Sequence, residues 1–253
     1  MARIFITGST EGLGRNAAEE LLDAGHDVVV HARNQQRAAA LDDLVARGAD
    51  LVVGDLAQTE DAKELAEAVN SLGRMDAVIH NAGAANNPKS THPGNPKALL
   101  PVNVVAPYLL TALIERPSRL VYLSSGMHLS GQPGLSGIDW SGEQETRTYA
   151  DSKLLLTTLV FHIARLWPHV LSNAVCPGWV PTRMGGPAAT DDLTLGHKTQ
   201  TWLAVSDDPE AQVSGEYWHH QQRQDPHPAT RDPKLQQELA AALADHTGVP
   251  LKP

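Results

Sequence analysis

The chain of 253 residues contains a single cysteine, Cys176. One thiol excludes an internal disulfide framework and a zinc site built on paired cysteines. It fits a reducing compartment, and a cytoplasmic location is expected. Long apolar runs are also missing. No stretch approaches the ~18 residues of a membrane span. The segment Met1 to Thr7 carries only Ile4-Phe5-Ile6 as an apolar core, too little for a secretory signal. Positive charge is scarce: 20 Lys+Arg against 29 Asp+Glu leave a formal net charge of −9. Nucleic-acid backbones and anionic membrane surfaces repel such a chain, so neither is an expected partner. Aromatic residues are few, yet five of them are Trp. The twelve His are scattered, and neither H-E-x-x-H nor paired Cys occurs, so no metal site is expected.

What is present suits a globular enzyme-sized chain. The apolar share of 42% supports a real core, and neither disorder nor a collagen pattern fits the composition. Short β-rich runs alternate with helical patterns. Strands are predicted at 3–7, 27–31, 50–53, 75–80, 119–124, 171–175 and 215–219. Helices are predicted at 14–24, 35–47, 59–72, 97–114, 148–167, 191–205 and 233–247. Gly25 should end the first helix and Thr59 should cap the third. Pro107 predicts a kink or break in the helix over 97–114. The segments 84–96, 125–147 and 177–190 are rich in Gly, Pro, Asn or Ser and read as loops. Regular β/α alternation means an α/β fold: a doubly wound parallel sheet with helices on both faces. One domain over 1–247 is expected, followed by a tail at 248–253.

The first strand runs into Thr7-Gly8-Ser9-Thr10-Glu11-Gly12-Leu13-Gly14, with a helix directly after it. Here Gly8 permits a tight turn, Gly12 a close backbone approach to a pyrophosphate, and Gly14 close helix packing. The helix N-terminus offers free N–H groups and a positive dipole end to the phosphates. The second strand ends His31-Ala32-Arg33-Asn34, without the carboxylate that would select NAD through a ribose hydroxyl. Arg33 favours a 2′-phosphate, hence NADP(H) over NAD(H), while Glu11 argues weakly the other way. Farther on, Tyr149 and Lys153 stand at i and i+4 of a helix and share a face. An ammonium beside a phenol lowers its pKa and makes it a usable acid or base.

Together these motifs resemble the short-chain dehydrogenase/reductase family, in its compact single-domain branch. The resemblance is carried by Thr7–Gly14, Asp55-Leu56, Asn81-Ala82-Gly83, Asn103, Ser124-Ser125, Tyr149-x-x-Ser152-Lys153 and Pro177-Gly178-Trp179-Val180-Pro181-Thr182, in the family's order. The run Leu123-Ser124-Ser125-Gly126-Met127-His128 is similar to retinol-dehydrogenase-like and carbonyl-reductase-like members. The resemblance implies a Rossmann-type fold and a nicotinamide cofactor. It implies Tyr149 as acid/base, Lys153 as its modulator and ribose ligand, and Ser125 as the group holding the substrate carbonyl. Asn103 would support Lys153 through a water. It also implies cofactor contacts from Gly8, Ser9, Thr10, Gly12, Leu13, Gly14, Asp55, Leu56, Asn81, Ala82, Gly83, Pro177, Gly178, Val180 and Thr182, with Arg33 added by the argument above. A dimer or tetramer is a family expectation.

The function expected is hydride transfer between NAD(P) and a carbonyl or secondary alcohol of a small apolar substrate. Walls would come from 125–147 and 185–205, with Trp140 and Trp202 in or near them and Trp179 beside the cofactor motif. Cys176 reads as a small buried hydrophobe. The alternative is a non-catalytic NAD(P)-binding sensor or scaffold of the same fold. Retention of Ser125, Tyr149 and Lys153 argues for the enzyme.

Overall fold

A computed structural model describes residues 1–85 and 96–253. Eight strands form one sheet: β1 (Arg3–Ile6), β2 (Asp27–Ala32), β3 (Asp50–Val53), β4 (Ala77–His80), β5 (Arg119–Leu123), β6 (Leu171–Cys176), β7 (Tyr217–His219) and β8 (Gln222–Gln224). Their order is β3-β2-β1-β4-β5-β6-β7-β8. Every pair from β3 to β7 is parallel, and β8 is antiparallel to β7. The order reverses between β1 and β4, and a ligand crevice is expected beyond the carboxyl ends of strands at such a point.

The helices are α1 (Gly12–Asp23), α2 (Gln35–Ala38), α3 (Asp42–Ala46), α4 (Thr59–Ser71), α5 (Ala106–Leu113), α6 (Tyr149–Leu166), α7 (Leu193–Gly196), α8 (Lys198–Val205) and α9 (Pro233–Thr247). Strand side chains alternate between two cores, as a pleated sheet requires. Phe5, Val29, Val78, Leu120 and Ala174 face one core with residues of α4, α5, α6 and α9. Ile4, Ile6, Val28, Val30, Ile79, Val121 and Val175 face the other with residues of α1 and α8. Helix α6 is buried without interruption from Ala150 to Ile163, because the sheet lies on one side and α9 on the other.

Several elements depart from expectation. The helix predicted over 35–47 tightens into a 3-10 turn at Ala39–Leu41 between α2 and α3. Its buried residues Ala38, Leu41 and Leu44 are spaced by three, a 3-10 period rather than an α period. Thr59 does not cap α4. Gln58 occupies the cap without a side-chain bond, and Thr59 begins the helix. The helix over 97–114 is continuous but irregular at the turn before Pro107. A π turn at Pro101–Val105 runs directly into α5, and Pro107, which has no N–H to give to the preceding turn, stands two residues after it. Strand β8 was not expected. Gly25, at φ +78°, does end α1: its N–H reaches Leu22 O and that of His26 reaches Leu21 O. Of the loop expected at 84–96, positions 86–95 lie outside the described residues. No described helix is long and apolar enough to cross a membrane.

Candidate functional site

The turn from β1 into α1 forms one wall of a groove of about 990 Å³ at the carboxyl edge of the sheet. That volume is at the upper end of the ~300–1,000 Å³ common for ligand sites. Gly8 and Gly12 adopt φ values of +68° and +59°, which side-chain-bearing residues rarely tolerate. A Cβ on Gly8 would lie 3.0 Å from Ala82 Cα. One on Gly14 would overlap the Asn81 amide and the Gly8 carbonyl, so that glycine makes room for the loop–β4 junction. No side chain caps the N-terminus of α1, and its first turn carries no carboxylate. Those N–H groups remain for an anion.

Buried polar side chains fix this turn. Asn81 Nδ2 donates to Thr7 O at 2.9 Å and Gly8 O at 3.1 Å, and the Ala82 N–H donates to Thr7 Oγ1 at 3.0 Å. Ser9 Oγ donates to Ile6 O at 2.6 Å and accepts from the His31 N–H at 3.2 Å. Its hydroxyl is thus spent inside the fold, away from the cofactor contact expected of it. His31 carries a role that sequence reading missed. The Gly8 N–H donates to its Nδ1 at 2.9 Å, so the ring proton sits on Nε2 and donates to Gly54 O at 2.8 Å. Burial lowers the His31 pKa and keeps the ring neutral.

The groove is lined by Gly8, Thr10, Gly12, Leu13, Arg33, Asp55, Leu56, Asn81, Ala82, Gly83, Tyr149, Lys153, Pro177 and Thr182 among the expected residues. Gly14, Gly178 and Val180 lie behind it as support. Gly178, at φ +85°, brings the main chain against Asp191, whose carboxylate accepts from the Trp179 N–H at 2.6 Å. Arg33 is exposed at the rim. A second arginine, Arg37, joins it there: its guanidinium donates to Thr10 Oγ1 at 2.9 Å and pairs with Glu11 at 3.0 Å. Glu11 also meets Arg183 at 3.5 Å. The acid that argued against a 2′-phosphate is therefore held between two cations.

Tyr149 opens α6, whose first turn is set by a reciprocal cap. Thr148 Oγ1 accepts from the Asp151 N–H at 3.2 Å, and the Asp151 carboxylate accepts from the Thr148 N–H at 2.9 Å. Lys153, one turn on, is buried and donates to Leu123 O at 2.7 Å. Its ammonium lies 5.6 Å from the Tyr149 ring centroid. Burial pushes Lys153 down to about 8. Burial pushes Tyr149 up to about 12, outweighing the nearby Ser125 side chain, which acts downward. The lowering expected for Tyr149 is therefore outweighed in the ligand-free protein, because desolvation of the phenolate is the larger effect.

Asn103 also has direct partners that the sequence did not announce. In the π turn its amide donates to Ala84 O and Ser152 Oγ, both at 2.9 Å, and accepts from the Ala84 N–H at 2.7 Å. It clamps the segment after β4 onto α6. It approaches Lys153 only across Gly83, whose missing Cβ would lie 3.5 Å from Asn103 Oδ1 and 3.6 Å from Lys153 Nζ. Cys176 is buried but borders the site: its Sγ accepts from the Gly126 N–H at 3.2 Å. No sequence pattern joins Cys176 to the turn that follows Ser125, because the two come from different strand ends. Trp179, 52% exposed, stands at the rim beside exposed Met184. Trp202 instead packs edge-on against Trp218 at 5.2 Å within the core around α8, and Trp140 packs on the other core. Among the described residues, no group of three or more His, Cys, Asp or Glu is placed to hold a metal.

Comparison with known proteins agrees with this geometry. The family model described as short chain dehydrogenase matches residues 2–193. "Short-chain dehydrogenase chyC" of Penicillium rubens is 37% identical over 257 aligned positions, covering 99% of each chain. A crystal structure of an uncharacterized protein from Mycobacterium paratuberculosis superposes with a TM-score of 0.80 at 20% identity, covering 100% of this chain and 96% of the other. The RhlG/NADP active-site complex of Pseudomonas aeruginosa superposes at 0.67 with 23% identity, covering 86% and 94%. The chain belongs to the short-chain dehydrogenase/reductase family of oxidoreductases, which use a nicotinamide cofactor to act on CH–OH and C=O groups of small molecules.

Proposed function

We propose that this protein is an NADP(H)-preferring oxidoreductase that moves a hydride between the nicotinamide and a carbonyl or secondary alcohol of a small apolar substrate, acting through Tyr149, Ser125, Lys153 and Asn103. The observation that carries the reading is Tyr149 at the head of α6 with the Lys153 ammonium 5.6 Å from its ring centroid, both lining the same groove as the uncapped glycine turn. When bound, the nicotinamide supplies the hydride or takes it up. Ser125 holds the substrate oxygen and stabilises charge growing on it. Tyr149, held protonated at neutral pH by burial, donates its proton to that oxygen in reduction and takes one back in oxidation. The Lys153 ammonium offsets charge left on the phenol and reaches the ribose side of the groove. Asn103 keeps α6 and the segment after β4 at a fixed distance.

The fit of the dinucleotide rests on three features: a helix N-terminus with free N–H groups, glycines whose missing side chains leave the backbone open, and the paired arginines at the rim. Arg33 and Arg37 supply two guanidinium groups where a carboxylate would favour NAD. A protein of the same fold was solved as an NADP complex, which supports the same choice. The apolar residues Val102, Pro177, Pro181, Met184 and Leu193 line the groove and support an apolar substrate.

The test is a panel of benzil, decanal and cyclohexanone, followed by NADPH absorbance for the native protein and Tyr149→Phe. Loss of positioned proton transfer should lower kcat by about 10²–10⁴-fold. Undiminished turnover by the Phe variant would sink the mechanism. NADPH binding without turnover of any carbonyl or alcohol would favour the sensor.

A further inference from the structure

Ser125 needs a fixed main chain, because its hydroxyl must meet the substrate oxygen within a few tenths of an ångström. Its own element is slight: it caps a short 3-10 turn, Gly126–Ser130, through a 3.2 Å bond from the Met127 N–H to its Oγ. The adjoining Gly126 N–H is tied to Cys176 Sγ. A third tie comes from His128, which has no exposed surface. His128 Nδ1 lies 2.7 Å from Ser125 O, and its Nε2 lies 3.1 Å from the His227 amide nitrogen. An amide N–H only donates, so Nε2 accepts and the ring proton must sit on Nδ1, where it donates to Ser125 O. The ring packs on Tyr217 with centroids 4.5 Å apart, so it cannot swing away. Burial lowers its pKa, which keeps this single neutral tautomer.

We propose that His128 is the positioning residue for Ser125: its Nδ1–H pins the Ser125 carbonyl and thereby sets the hydroxyl that holds the substrate oxygen. Its other nitrogen anchors the segment at His227 to the same ring, so the active-site turn and the chain after β8 share one fixed point. This role rests on the oxidoreductase reading above.

The two nitrogens can be separated by substitution. His128→Asn keeps a donor at the Nδ1 position and loses the acceptor for His227. His128→Gln keeps an acceptor near the Nε2 position and loses the donor to Ser125. His128→Leu loses both. With the full chain, NADPH and benzil (or the panel carbonyl with the larger Tyr149-dependent rate), His128→Leu and His128→Gln should each lower kcat about 10- to 100-fold, with NADPH Kd within about threefold. His128→Asn should restore most of that loss. In a Ser125→Ala background, His128→Leu should cause less than about a twofold further fall, because both changes remove one function. Nitrogen NMR of the native protein should show the Nδ1–H tautomer, a measurement that needs no substrate.

The opposite pattern, Gln active and Asn inactive, would make His128 a pin for the His227 segment alone and overturn the proposal. So would full additivity with Ser125→Ala, or an Nε2–H tautomer. Absence of any Tyr149-dependent turnover would instead sink the oxidoreductase reading itself.

Discussion

Tyr149 and Lys153 are both pushed by burial toward their neutral forms, one upward and one downward. For Lys153 the folded value is about 8 against an ordinary 10.5. The unfolded chain binds the extra proton between those values, so stability should rise as pH increases from about 8 to 10.5. Below that window the ammonium costs the free protein its full burial penalty. Lys153→Met should therefore stabilise the ligand-free protein at neutral pH by up to about 3 kcal/mol. The gain should vanish near pH 10.5, as denaturant titrations at the two pH values would show. An equal effect at both would mean that the ammonium is not the cause. Tyr149, raised from 10.0 to about 12, has the complementary window: stability falls through it as pH rises, because the unfolded phenol ionises first. At the rim, Arg37 lies beside Arg33 and is held near Thr10 and Glu11. Arg37→Ser should weaken NADPH binding about 10- to 100-fold, the loss of one charge-assisted contact, with NADH affected far less. Equal losses in fluorescence titrations with both cofactors would remove Arg37 from 2′-phosphate selection. Arg37 escaped the sequence reading because an arginine early in a helix looks like any solvated residue until Thr10 and Glu11 are brought beside it.

The elements that place the site differ in how plainly the sequence marked them. Strands β1 to β7 were legible because each is a short β-branched or apolar run bounded by turn residues. Strand β8, Gln222–Gln224, is wholly exposed and polar, so no period could announce it. Its turn uses His220 and Gln221 at φ +48° and +59°, without the Asn-Gly or Asp-Gly that usually signals such a hairpin. The π turn at Asn103 was equally silent: Pro107 foretold a kink or break, not a π turn. The glycines of the first turn and the extent of α6 were legible, since local steric rules act within a few residues, whereas the His31 tie to Gly8 comes from a neighbouring strand and was not. Those rules give two further expectations. Gly14→Ala would drive a methyl into the Asn81 amide and Gly8 carbonyl. It should cost ~1–3 kcal/mol and abolish measurable NADPH binding, since the whole turn must shift. Near-native affinity would show that the turn is looser than its geometry. Asp151→Ala removes the reciprocal cap of α6 and leaves the Gln132 N–H, now 2.7 Å from the carboxylate, without its acceptor. It should cost about 1–2 kcal/mol and lower kcat more than it raises KM, because the first turn carries Tyr149. A drop in stability with native kcat would separate the cap from the chemistry.

At the scale of the whole molecule, the proposed binding of an anionic cofactor by an acidic chain rests on concentrated exceptions: the α1 N-terminus and the two rim arginines border one groove. The opposite requirement, closing the core, falls partly on residues 248–253, which composition alone marked as a tail. Val249 and Leu251 pack on the core shared by α5 and α6. Tyr108, fully buried on α5, donates to Val249 O at 2.7 Å, and the Trp167 indole donates to Lys252 O at 2.7 Å. Arg116 stacks 4.1 Å from the Trp167 ring and donates to Lys252 O and Pro253 O, both at 3.0 Å. The segment thus acts as a strap over the outer face of two helices. Deleting 249–253 leaves Tyr108 and Trp167 without acceptors and uncovers apolar surface between them. The loss should be roughly 2–5 kcal/mol, with Tm lowered by roughly 5–15 °C. None of these residues lines the groove, so NADPH affinity measured well below Tm should be unchanged. The uncovered strip should also make the shortened chain associate as concentration rises, a trend that sedimentation would detect. A native Tm with no association would show that the strap is an ornament of the surface and that α5 and α6 close the core unaided.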